Sequence, residues 1–377
     1  EPVRVEKVAA IYTSRDLAIS EPVLAAQQAV ERAGRFDELC AQQANAWRQL
    51  WARCQVELHT QGAERHPTPQ LVLNVHIFHL LACASPNTVD IDASVGARGL
   101  HGEDYRGHVF WDELFVSRFL ALHLPEVSRG LLLYRWRRLD AARRAAAETG
   151  RPGAMFGWES GSDGREETPA EVYDPCTGTW RPAHYALQRH VGLAIGYNVW
   201  HYYQATADVD FMRRYGAELI VEIARYFADL ARKNEATGRY EITGVMGPDE
   251  FHTALPGTRT PGLPNNAYTN VMTVWLLRRA LEVVDLLSCD GDARHADPLG
   301  IRESELARWR DIITCMYVPF HDDGIINQFD GYENLAELDI GKYATRCGGD
   351  LSKLDAVLDA EGDSTNNYKL PKQADVL

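Results

Sequence analysis

Met212-Arg-Arg-Tyr-Gly-Ala-Glu-Leu-Ile-Val-Glu-Ile-Ala-Arg-Tyr-Phe-Ala-Asp-Leu230 carries apolar residues at 212, 219, 223, 227 and 230. Steps of three, four and seven put them on one stripe of an α-helix. The segment at about 184–206 has the same period, through Val191, Ile195, Val199 and Tyr203, and 266–288 repeats it through Val271, Val274, Leu277, Leu281 and Val284. Between the segments at 212–230 and 266–288 lies a long, polar, turn-rich connection.

Further helical periods follow at 301–317 and, more weakly, near 334–344 and 351–359. On the N-terminal side, Leu71 to Ala84 is apolar nearly all round, which predicts a helix buried inside a larger helical assembly. A helix through Leu122 and another from Pro125, with Val127, Leu131 and Tyr134, lead into Ala-rich turns up to Gly150. Ser20-Glu-Pro22 opens a helical stretch that runs to about His59 with a break near Gly34, and residues 1 to about 20 alternate like a short strand or an extended linker. Only Arg239 to Ile242 otherwise reads as strand. Helical hairpins joined alternately by short and by very long connections predict an all-α toroid whose long loops form an active-site face. The sequence has no repeat at a solenoid period.

The chain has 377 residues, 45% of them apolar, enough for a sizeable core. Its 53 acidic and 39 basic side chains give a net charge of -14, with no basic run, so neither nucleic acid nor an anionic membrane is the expected partner. No apolar run reaches the roughly 18–20 residues of a membrane span. Seven scattered cysteines without a Cys-x-x-Cys pair read as reduced thiols of a cytoplasmic protein. The absence of an initiator Met, and an end at Lys372-Gln-Ala-Asp-Val-Leu377 without a cap, make the chain read as cut from a longer protein.

The long connection contains Gly244-Val-Met-Gly-Pro-Asp-Glu-Phe-His252 and ends in Asn265-Asn-Ala-Tyr-Thr-Asn270. Adjacent loop residues seldom point the same way, so one of Asp249 and Glu250 is expected to face a cleft while the other organises the loop. A carboxylic acid near Met246 and Phe251 is suited to general-acid work; a Gly-Pro-Asp turn with two solvated charges is the competing reading. Trp111-Asp112 and Trp158-Glu159 set an aromatic ring beside a carboxylate in or near Gly-rich loops. That pairing suits the apolar face and hydroxyls of a hexose, although a core Trp beside a surface acid has the same pattern. His76, His79, His101 and His108 lack the spacing of a metal site and read as core or hydrogen-bonding residues, and phosphate-loop motifs are absent. No cofactor or metal is expected.

Six blocks, in order, carry a resemblance: Gly102-Glu-Asp-Tyr-Arg-Gly-His-Val-Phe-Trp-Asp112, Leu132-Leu-Tyr-Arg135, Gly153-Ala-Met-Phe-Gly-Trp-Glu-Ser160, Gly244 to His252, Asn265 to Asn270, and Lys372-Gln-Ala-Asp-Val376. They resemble glycoside hydrolase family 65, which holds maltose, trehalose, kojibiose and nigerose phosphorylases and some hydrolases. The resemblance implies an (α/α)6 barrel over residues 67–377, incomplete at its C-terminal end, after a helical linker at 1–66. It carries the general acid to Glu250. It makes Trp111, Asp112, Lys372 and Gln373 holders of the innermost glucosyl unit, with Trp158 and Glu159 lining the same subsite.

The implied chemistry is inverting cleavage of an α-linked glucosyl disaccharide. Phosphate, favoured here as the nucleophile and then the only co-substrate, would give β-glucose 1-phosphate; attack by water would make a hydrolase, and needs a protein base. The family places its phosphate loop or that base beyond Leu377. Phosphorylases commonly follow Trp-Asp with Thr-Glu, and here Glu113-Leu114 follows. A homodimer is the common family form. The reading of another class is a barrel fragment that binds carbohydrate without catalysis.

Overall fold

The computed structural model describes residues 3–16, 19–59, 68–100, 104–174, 178–258, 260–288 and 299–370. Helices α1 (Pro22–Arg32), α2 (Phe36–Cys54), α3 (Thr68–Cys83), α4 (Glu113–His123), α5 (Pro125–Arg137), α6 (Leu139–Glu148) and α7 (Val191–Thr206) come first. They are followed by α8 (Val209–Phe211), α9 (Ala217–Leu230), α10 (Ala267–Ser288), α11 (Glu303–Cys315), α12 (Ile340–Arg346) and α13 (Leu354–Ala360).

Three short antiparallel ladders stand among them in the described residues: β1 (Glu171–Asp174) with β2 (Thr179–Pro182), β3 (Arg232–Asn234) with β4 (Arg239–Glu241), and β5 (Thr243–Val245) with β6 (Leu263–Pro264). The fold is therefore helix-rich rather than purely α. Most of these strands left no mark in the sequence because they are at most four residues long and β2 buries no side chain, so no apolar alternation arises.

The chain forms two units, Glu1–Arg135 with His201–Ala207, and Trp136–Trp200 with Asp208–Leu377. In the first, residues 3–13 make neither helix nor strand, and Arg4 grips Asp37 with both terminal nitrogens, at 3.0 and 2.8 Å. The core joins α2, α3, α4 and α5 through Cys54, Ile77, Leu81, Leu120, Leu124, Val127 and Leu131, with Trp47, Leu50 and Trp51 packed against it. Arg53 on α2 holds Glu126 on α5 at 2.7 Å. The all-round burial expected of α3 does not occur: Ile77 and Leu81 are buried, while Leu71, Val72, Val75 and Phe78 are exposed. Uniform apolarity carries no information about how many sides of a helix are covered.

In the second unit α9 packs against α6, α10 and α11. Leu219, Ile223 and Phe227 of its apolar stripe are buried, and burial of each contributes about 1.5–3 kcal/mol. Small residues on α7 let the helices close up, since a methyl group on Gly196 would run into Leu276 of α10. The seven-residue step from Met212 to Leu219 in the sequence pattern coincides with a π-helical turn over Met212–Gly216 that joins α8 to α9. Arg143 of α6 ties down α9 through Glu218 at 2.7 Å and Glu222 at 3.3 Å. A smaller core forms where Phe251, from the connection between α9 and α10, enters a cluster made by Tyr343, Leu354, Leu358 and Leu370. No described helix is long and apolar enough to cross a membrane.

Candidate active site

The loop after β5 is shaped by close approach. Gly247 has no room for a Cβ, because the side-chain amide of Asn266 occupies the space. That amide is itself fixed: its oxygen accepts from the backbone N–H and the hydroxyl of Thr269, both at 2.9 Å, capping α10, and its nitrogen donates to the Gln328 carbonyl at 3.2 Å. On the other flank the Met246 N–H donates to the Leu187 carbonyl at 3.0 Å. The Asn265-Asn266 block thus serves the fold of this loop, a role that the sequence pattern does not separate from ligand binding.

The two adjacent carboxylates meet opposite surroundings. Asp249 is 2% exposed, and its Oδ2 lies 2.6 Å from Nδ1 of the fully buried His252. His252 Nε2 lies 2.8 Å from the Tyr368 carbonyl. A carbonyl only accepts, so Nε2 is the donor in that pair. The imidazole also packs beside Phe329 and Tyr332, at 5.2 and 5.6 Å between ring centres. Two more bonds bolt the loop to residues 365–366: the Thr365 hydroxyl donates to the Phe251 carbonyl at 2.6 Å, and Asn366 Oδ1 accepts from the Thr253 N–H at 2.8 Å. Asp249 is the organiser of the loop.

Glu250, by contrast, is half-buried and borders a cleft of about 340 Å³ that also presents Arg181, His184, Tyr185, Asp355, Asp359 and Asn366. Its Oε1 accepts from Gln188 Nε2 at 3.2 Å. The volume falls within the usual range of small-ligand sites. Arg181 is held at the rim by Asp359, at 2.7 Å.

Trp158 and Glu159 stand on the same part of the second unit and are buried. Glu166 turns their loop by accepting both backbone N–H groups, at 3.1 and 3.2 Å. The Trp158 ring centre is 5.0 Å from that of His190, which follows Gln188 by two residues and also has Tyr268 at 5.8 Å. Burial pushes the His190 imidazole down to about 3, so it is neutral at physiological pH. The short segment Leu187–His190 thereby connects Trp158 on one side with the Glu250 loop on the other.

A larger cavity, of about 670 Å³, lies elsewhere on this unit, along Pro152, Arg225, Arg308 and Trp309. Its charges answer one another, with Arg225 at 2.6 Å from Glu222 and 2.9 Å from Glu305, and among the described residues none of the expected sugar site borders it. The described residues hold no cluster of three or more His, Cys, Asp or Glu that would bind a metal ion.

Comparison with known proteins decides the family. The model of the "Glycosyl hydrolase family 65 central catalytic domain" matches residues 74–377. The chain belongs to glycosyl hydrolase family 65. The family's N-terminal domain matches residues 1–50 as well. An uncharacterized glycosyl hydrolase of Mycobacterium tuberculosis is 50% identical over all of this chain and 28% of its own length. Trehalose 6-phosphate phosphorylase of Lactococcus lactis is 38% identical over 88% of this chain and 41% of its own. Kojibiose phosphorylase of Halothermothrix orenii is 34% identical over the whole chain and 48% of its own length. The chain thus spans less than half the length of these relatives. A solved structure provisionally named kojibiose phosphorylase, from the human microbiome, has the same fold, with a TM-score of 0.73 and 21% identity over 94% of this chain and 43% of that one.

Among the family 65 motif residues, Glu250, Trp158 and Glu159 belong to the second unit, where Glu250 meets Gln188 and Trp158 meets His190, while Trp158 and Glu159 do not line the cleft that Glu250 borders. Trp111 and Asp112 belong to the first unit. There Trp111 is buried edge-on to Phe115, at 5.5 Å, and Asp112 directly precedes α4, whose buried Glu113 receives Arg135 Nε at 2.8 Å. Lys372 and Gln373 lie outside the described residues. Sequence reasoning missed Gln188 and gave His252 no role apart from its block. The available signal was the polar Gln188-Arg-His190 set against the apolar start of α7.

Proposed function

We propose that the protein is an inverting phosphorylase acting on an α-linked glucosyl disaccharide, built on an (α/α)6 barrel, with Glu250 as general acid. The observation that carries this reading is the contrast between the two loop carboxylates. Asp249 is locked against His252, whereas Glu250 reaches a cleft of disaccharide scale within a family 65 motif. Glu250 gives its proton to the glycosidic oxygen as the bond breaks, and phosphate attacks the opposite face of the sugar to leave β-glucose 1-phosphate. The phosphate is itself the nucleophile, so this chemistry needs no metal, cofactor or protein base.

Trp158 and Glu159, with Trp111, Asp112, Lys372 and Gln373, hold the transferred glucosyl unit in this reading. Kinship with phosphorylases of kojibiose, trehalose 6-phosphate and, in Bacillus selenitireducens, 1,2-α-glucosylglycerol supports phosphorolysis and an α-glucosyl donor. The protein acts in the cytoplasm, as a homodimer, in the same proposal.

The test is Glu250→Gln in the full-length protein. The variant keeps the shape and the hydrogen-bonding reach of the side chain but has no proton to give. Turnover of an unactivated disaccharide falls by about 10²–10⁴-fold. Wild-type turnover in that variant removes the assignment.

A further inference from the structure

We infer that Gln188 is a positioning residue for the acid: its side-chain amide holds Glu250 and stabilises the charge that appears on it as the proton leaves. The inference rests on the assignment of Glu250 above. Gln188 is fully buried at the end of the short 3₁₀ turn Tyr185–Leu187, its N–H bonded back to the Tyr185 carbonyl at 2.9 Å. Its side-chain Nε2 donates to Glu250 Oε1 at 3.2 Å, while its Oε1 is buried without a hydrogen-bond donor. A buried, unanswered amide oxygen is costly, and an apolar side chain of the same length would avoid that cost. The arrangement is therefore explained by what the other end of the amide does.

Before reaction Glu250 is protonated and the amide bond to it is a neutral one. In the transition state the proton moves from Glu250 to the glycosidic oxygen, the bond to the leaving sugar breaks, and the carboxylate takes up the negative charge. The hydrogen bond from Nε2 then becomes charge-assisted and roughly twice as strong. An interaction stronger in the transition state than in the ground state raises kcat rather than merely lowering KM. Turned over, the same amide can offer Oε1 to a protonated Glu250, which gives that oxygen a partner while the acid is loaded. The main chain fixes where the amide sits, because Met246, four residues before Glu250, bonds to Leu187, the neighbour of Gln188.

The experiment compares wild type, Gln188→Met, Gln188→Asn, Gln188→Glu and Glu250→Gln in the full-length protein, using a disaccharide and α-glucosyl fluoride. Fluoride departs without full protonation, so its turnover needs the acid far less. Gln188→Met is expected to lower kcat on the disaccharide by about 10- to 100-fold, with KM and fluoride turnover little changed. Without the donor, the ionised acid is less favoured, so the basic limb of the kcat profile moves to higher pH. Gln188→Glu puts a second carboxyl beside Glu250 and couples the two titrations; if Gln188→Met does not fold, Gln188→Asn, whose shorter amide does not reach Glu250 from the same main-chain position, decides the question by the same two readouts.

Equal losses on both substrates, or a basic limb that stays in place, overturn the role of Gln188 while Glu250→Gln still separates the two substrates. If Glu250→Gln leaves disaccharide turnover intact, the acid assignment fails, and the role of Gln188 fails with it.

Discussion

At Asp249 and Glu250 one residue of sequence separates a structural carboxylate from a candidate catalytic one. What distinguishes them is the partner each meets: a buried imidazole for Asp249, a cleft and an amide for Glu250. The neighbouring His190 makes a prediction of its own. Its folded value is about 3, against 6.5 for an ordinary histidine, so between those values the unfolded chain binds the proton and the folded one does not. The stability from keeping this ring neutral is fully present above pH 6.5 and is lost as pH falls toward 3. The slope is roughly 1.4 kcal/mol per pH unit from this group. Denaturant melts from pH 7 down to pH 4 should show the loss, and His190→Phe should flatten it; an unchanged slope in that variant would place the acid sensitivity elsewhere. That one carboxylate of the pair would face a cleft was legible in the sequence. Which one came from the family resemblance and not from the chemistry of the two residues, because that depends on His252 meeting the Tyr368 carbonyl, 116 positions away.

Among the elements, the helices were legible because their apolar residues keep one period, whereas the π turn at Met212–Gly216 was not, since a seven-residue step is also the ordinary two-turn spacing of an α-helix. The β1–β2 ladder was not, since it lies in a loop and pairs mostly exposed residues such as Tyr173 and Trp180. Exposure on α3 was also hidden, because composition cannot say which neighbours a helix has. The loop carrying Trp158 and Glu159 approaches α9 most tightly at Gly153. Gly153 has φ +83, and a Cβ there would meet the Glu222 carbonyl and the Tyr226 amide. Gly153→Ala should therefore destabilise the second unit by about 1–3 kcal/mol in denaturant melts and lower disaccharide turnover. An unchanged midpoint would mean that this loop yields without disturbing α9.

At the level of the molecule, family membership follows from six sequence blocks and from a match over residues 74–377, so it was legible in the order of the residues alone. The choice between phosphate and water was not, because it depends on the groups that receive the nucleophile rather than on the acid. The most direct test incubates the full-length protein with maltose, trehalose, kojibiose and nigerose, with and without phosphate, and follows products by NMR. Phosphate-dependent formation of β-glucose 1-phosphate from one of them is the expected result. Free glucose released at the same rate without phosphate, α-glucose 1-phosphate as the product, or no turnover of any α-glucosyl disaccharide would contradict it.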